Sequence, residues 1–193
     1  FLLHSTAGDG ATANAKVQAF DGRETAPAAA TEDMLLNADG QPLVFHAAVV
    51  GGRSVGTPGV LRMLAQAHAQ HGKLPWAKLF EPAIALASQG FAISPRLHAQ
   101  LKADAYLRSD PTARAYFYQA NGEAHAIGHV LRNPELAAVL QRIATEGVQA
   151  FYSGEVAEAV VRKVQQHPSN SGRLALSDLA NYQAKERTPV CFD

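Results

Sequence analysis

A helix-rich α/β (α+β) fold is what this sequence predicts, and three observations carry the prediction. Two short strand-like runs, residues 1–4 and 16–20, stand at the front with small, turn-forming residues between them. Apolar residues then recur at helical spacing in several later segments. Those segments open on Pro, Ser, Thr or Asn, and most close on Gly, which is the punctuation expected of helices. They do not match one another at any fixed period, so a helical solenoid is excluded. The chain reads as one segment, strand-rich over 1–50 and helix-rich over 57–183.

Taken in order, residues 1–4 and 16–20 form a hairpin across a turn at 7–14. Thr31 caps a short helix whose first turn carries Glu32 and Asp33, the charge that suits a helix N-terminus. Asp39-Gly40 turns the chain into a strand over 43–50. Thr57 and Pro58 start a helix with Val60, Leu61, Leu64, Ala67 and His71 on one face, and Gly72 stops it. The next segment runs from Pro75 to Gly90. Pro82 lies inside it, which predicts a kink or two short helices meeting near Glu81, because a mid-helix proline removes a donor and clashes with the preceding turn. Ser94-Pro95 opens a helix to about Arg108, ended by Asp110-Pro111. Residues 112–128 show neither period and read as a loop pinned by Tyr116, Phe117 and Tyr118. Asn133-Pro134 starts a helix to Gly147, Ser153 caps another, and Ser177 starts a short last one.

Composition bounds the function. At 193 residues and 47% hydrophobic, the chain can bury a core of ordinary size. Lys plus Arg equals Asp plus Glu at 17 each, so no net field recommends nucleic acid or an anionic membrane as partner. No apolar run approaches the ~20 residues that span a bilayer, and the first residues lack the charged start and apolar core of a signal peptide. Cys191 is the only cysteine, so neither an internal disulfide nor a multi-cysteine metal cluster can form, and the redox compartment stays open.

The residues with chemical potential divide into those with a bland account and one without. The stretch from Gly51 to Gly59 precedes a helix but lacks the Lys of a phosphate loop and the spacing of a dinucleotide fingerprint, so it reads as a tight strand-to-helix turn. His68 with His71, and His125 with His129, sit one helical turn apart, yet no third ligand stands at a zinc-binding interval. No metal and no cofactor is expected. No Gly-x-Ser-x-Gly elbow or Ser-x-x-Lys pair is present, and nothing in sequence ties a histidine to Cys191. The exception is Asp21-Gly22-Arg23-Glu24-Thr25-Ala26-Pro27, just past the second strand. Arg23 offers a rigid fork that holds a carboxylate through two charge-assisted hydrogen bonds. The rival reading is a solvated Arg-Glu pair worth under about 1 kcal/mol.

That segment, extended to Thr31, resembles the large subunit of gamma-glutamyltransferases, also called glutathione hydrolases. So do Ser54-Val55-Gly56-Thr57-Pro58-Gly59, the run from Gly72 to Ile84, Ser94-Pro95-Arg96-Leu97, Asn133-Pro134-Glu135-Leu136, Ala150-Phe151-Tyr152-Ser153-Gly154 and the run from Leu176 to Tyr182, all in the family's order. The resemblance is weakest over 104–128. It implies a helix-rich piece of the αββα sandwich of N-terminal-nucleophile hydrolases. It assigns Arg23 to the α-carboxylate of a glutamyl substrate such as glutathione, with Asp21 and Glu24 as supports that aim it. It further implies that the nucleophilic threonine belongs to a small subunit of the same precursor, outside this chain, so that these residues alone are inactive. Periplasmic or secreted placement is the family's habit. An apolar face normally covered by the partner subunit is expected, with self-association in its absence. Two alternatives stay open: a glutaryl or cephalosporin acylase of the same superfamily, and a noncatalytic helical interaction module.

Overall fold

The computed structural model describes residues 1–6 and 16–190, and its contacts divide the chain into two compact units, Phe1–Trp76 with Glu146–Asp193, and Ala77–Thr145. The expected turn at 7–14 and Cys191 lie outside the described residues.

In the first unit, β1 (Leu2–Thr6) and β2 (Lys16–Asp21) pair antiparallel with Leu2 opposite Phe20. Phe20 is fully buried against Met63 and Ala67, and burying such a ring stabilises by roughly 1.5–3 kcal/mol. The expected strand at 43–50 is instead α1 (Phe45–Val49). Its last carbonyls supply the reason: the Asn170 amide donates to Ala47 O at 3.1 Å and to Val50 O at 2.7 Å, satisfying groups that a helix end leaves open. Thr31 does not cap a helix either. Its hydroxyl bonds the Asp33 side chain, and residues 28–35 form turns, the local competition that favours non-helical backbone. Next, α2 (Val60–His71) begins with Gly59 as its cap rather than Thr57, whose amide donates to Thr25 O at 2.8 Å. In its last turn, His68 meets Trp76 edge-on at 5.4 Å.

The second unit follows the local signals closely. A 3-10 turn at Trp76–Leu79 and α3 (Glu81–Gln89), with Pro82 in its first turn, realise the break expected near Glu81. The short β3 (Phe91–Ala92) leads to α4 (Pro95–Ala103), whose cap Ser94 accepts the Leu97 amide at 3.1 Å. This helix stops five residues before Arg108, since Asp104 Oδ1 accepts the amides of Tyr106 and Leu107 and starts a separate 3-10 turn. The supposed loop begins as α5 (Pro111–Phe117). Asp110, read as a terminator, also caps the new helix by accepting the Ala113 amide. The aromatic pin is real at Tyr118, which is buried and donates to Leu101 O at 2.9 Å. β4 (Val130–Leu131) pairs antiparallel with β3, and α6 (Pro134–Glu146) closes the unit.

The chain then re-enters the first unit through α7 (Gln149–Tyr152), α8 (Gly154–Gln165) and α9 (Leu176–Asn181), which share a core of Tyr152, Ala157, Val161, Leu174 and Leu179. It ends in β5 (Lys185–Arg187), antiparallel to β2 and opposite residues 19–21. This strand has no apolar alternation, so periodicity could not find it; charged side chains are what a sheet edge carries.

Candidate functional site

β2 delivers Asp21 to the sheet's end, and from there the loop is held both by its own Asp21 and by residues far along the chain. Asp21 Oδ1 accepts the Arg23 amide at 2.9 Å, while its Oδ2 takes Arg187 Nε at 3.0 Å and Nη2 at 2.9 Å. The Arg23 amide first, and the Arg187 guanidinium after it, hold the Asp21 carboxyl below its usual range. The Tyr182 hydroxyl donates to Arg23 O at 2.7 Å. Burial, and then the charges of Asp21 and Glu24, push that phenol upward, so it stays a proton donor.

Close backbone approach completes the mount. A Cβ at Gly22 would stand 2.5 Å from Met63 Cβ, and one at Gly59 would overlap the Tyr182 phenol. Neither position admits a side chain without movement. Further on, Asp178 accepts the Ala28 amide at 2.9 Å with one carboxylate oxygen and the Ala175 amide at 2.8 Å with the other. The loop is thus stapled to the stretch that runs through α9.

Against this fixed backbone the Arg23 side chain is 66% exposed. Glu24 Oε1 faces it at 3.1 Å from Nε and 2.9 Å from Nη2, which sets the plane of the guanidinium. The bond leaves the Nη1–Nη2 edge of the fork for a second carboxylate, and two parallel bonds from that edge are the geometry at which Arg surpasses Lys. The three residues singled out by sequence, Asp21, Arg23 and Glu24, therefore do converge. Tyr182, Arg187 and Asp178 escaped notice. Tyr182 and Asp178 lay within a quoted run, but nothing in their spacing shows a bond spanning 159 residues.

Of the two histidine pairs, His125 stacks on His129 at 3.8 Å, whereas His71 stacks on His4 at 3.7 Å and His68 turns to Trp76. Among the described residues no three His, Cys, Asp or Glu side chains converge as a metal would need. No helix among the described residues is long and apolar enough to cross a membrane.

Comparison with known proteins places these features in context. The family model described as gamma-glutamyltranspeptidase matches residues 10–193. Glutathione hydrolase 2 of Arabidopsis thaliana is 41% identical over 181 residues, covering 92% of this chain and 29% of the relative. A crystal structure of Helicobacter pylori gamma-glutamyltranspeptidase superposes with a TM-score of 0.84 at 30% identity, over 97% of this chain and 52% of that one. The Pseudomonas nitroreducens gamma-glutamyltranspeptidase complexed with L-DON gives 0.80 at 34% identity, with the same coverage. The chain spans less than a third of the length of the curated relatives it matches.

Proposed function

The chain belongs to the gamma-glutamyltranspeptidase family, and from that premise we propose that it is the substrate-orienting part of an enzyme that cleaves the γ-glutamyl amide of glutathione and related compounds. The glutamyl group passes to water or to an amino acid or peptide acceptor by way of a glutamyl-threonine ester. The threonine belongs to a small subunit of the same precursor, and its own α-amine serves as base to the hydroxyl. In keeping with a processed precursor, relatives in Pseudomonas aeruginosa and Escherichia coli carry the name proenzyme. The enzyme works outside the cytoplasm, in the periplasm or the medium.

Arg23 holds the substrate's α-carboxylate in this reading, and the observation that carries it is the contrast between a backbone pinned by Asp21, Tyr182 and Gly59 and an exposed guanidinium at its tip. Fixing one end of the substrate sets the distance of the scissile amide from the nucleophile, which replaces a costly encounter with a placed one. Asp21 acts on the backbone and Glu24 on the guanidinium plane. Val44 and Phe45, more than 70% exposed, offer apolar surface for the partner subunit.

The test is Arg23→Lys in the intact protein. KM for a γ-glutamyl anilide rises on the order of 10- to 100-fold, the worth of charge-assisted hydrogen bonds, while self-cleavage proceeds as before. An unchanged KM would remove the assignment.

A further inference from the structure

Away from Arg23, the first unit contains a polar cleft of about 330 Å3, at the low end of small-molecule sites at roughly 300–1,000 Å3. Two guanidinium groups, Arg53 and Arg173, line it together with the Asp33 carboxylate and the hydroxyl-bearing Thr31 and Ser171. Each arginine is anchored through one nitrogen: Arg53 Nη1 donates to Met34 O at 3.3 Å and Arg173 Nη1 to Ala29 O at 3.1 Å. The rest of each fork remains for a ligand.

The wall between the arginines is set by backbone contact. Gly52 N donates to Asn170 O at 2.7 Å, Gly172 N donates to Val164 O at 2.9 Å, and a Cβ on either glycine would overlap the other segment's backbone. Gly52 precedes Arg53 and Gly172 precedes Arg173, so their attachment points are fixed by contacts that admit no side chain. Opposite charge is equally built in. The Thr31 hydroxyl, the residue's own amide and Arg173 hold the Asp33 carboxyl below its usual range, so it stays ionised.

A simple anion placed here meets Asp33, and a simple cation meets two guanidinium groups. A small ligand bearing both signs answers all three. We infer that the cleft takes a free α-amino acid, its carboxylate on Arg53 and Arg173 and its ammonium group on Asp33. This site does not depend on the role given to Arg23.

Calorimetric titration of the intact protein with L-alanine tests it, with acetate and ethylamine as the two half-ligands. Exposed partners predict a dissociation constant near 1 mM, at least 10-fold tighter for alanine than for either half-ligand. Asp33→Asn and Arg173→Gln each weaken alanine binding about 10-fold, and they do so equally in an Arg23→Ala background, where the other carboxylate-holding arginine is gone. Because Arg53 and Arg173 also tie down backbone, Ser171→Tyr serves as a second probe that fills the cleft without removing either anchor, and it abolishes the heat. Equal binding of acetate and alanine, loss of alanine binding in Arg23→Ala alone, or no heat in the unmodified protein would each overturn the inference. None of these results bears on KM at Arg23.

Discussion

The two units of this protein are coded in different ways. The unit over Ala77–Thr145 is written locally: Ser94, Asp110 and Asn133 each cap the helix that starts beside them, and Gly90 stands at a positive φ of 93° where α3 stops. The other unit holds its candidate site through contacts between distant residues. Tyr182 reaches Arg23 across 159 residues, Arg187 reaches Asp21 across 166, and Asp178 reaches Ala28 across 150. The lesson is that a candidate binding side chain can be singled out by its own motif while much of what fixes its backbone lies elsewhere in the chain.

Mutations sharpen or break this contrast. Gly59→Ala forces a methyl into the Tyr182 phenol, so urea unfolding should show a loss of about 3 kcal/mol, the upper range for overpacking. A milder change at the same contact is Tyr182→Phe. It removes the donor to Arg23 O and should lower stability by about 1–2 kcal/mol, with KM for a γ-glutamyl anilide rising more than kcat falls. Ser94→Ala should cost about 1 kcal/mol through its lost cap and leave that KM alone. A shift in KM there would break the division into a local unit and a site-holding one.

Much of this was legible, and the failures have physical causes. The helices opened by Ser94 and Asn133 stand where caps and apolar spacing put them, since a cap and its first turn are neighbours in sequence; α8 also starts after Ser153, but that hydroxyl donates back to Gln149 O at 3.0 Å and caps nothing. The β1–β2 hairpin was equally plain. Residues 43–50 were misread because their β-favouring side chains say nothing of Asn170, which closes the helix end from 120 residues away. β5 was invisible because Lys185-Glu186-Arg187 has no buried face to reveal it. Arg23, Asp21 and Glu24 could be singled out by motif, but the bond from Asp21 to Arg187 could not.

The smallest expected effect is acidic. Asp21 has a folded-state pKa below its ordinary 3.8, so its contribution to stability is present above that value and is lost as the pH falls through the lower one. Urea midpoints of the wild type and Asp21→Asn should therefore differ at pH 6 and converge in strong acid. A gap that persists would show that Asp21 supports the loop by shape rather than by charge.

The edge-on meeting of His68 and Trp76 has a practical use. This is the chain's sole indole, and it sits against an imidazole at the end of α2, the helix whose other end abuts Gly22 and Gly59. Its fluorescence is consequently a native optical reporter. A change in emission on adding a ligand reports a change around the end of that helix, with no dye and no label attached.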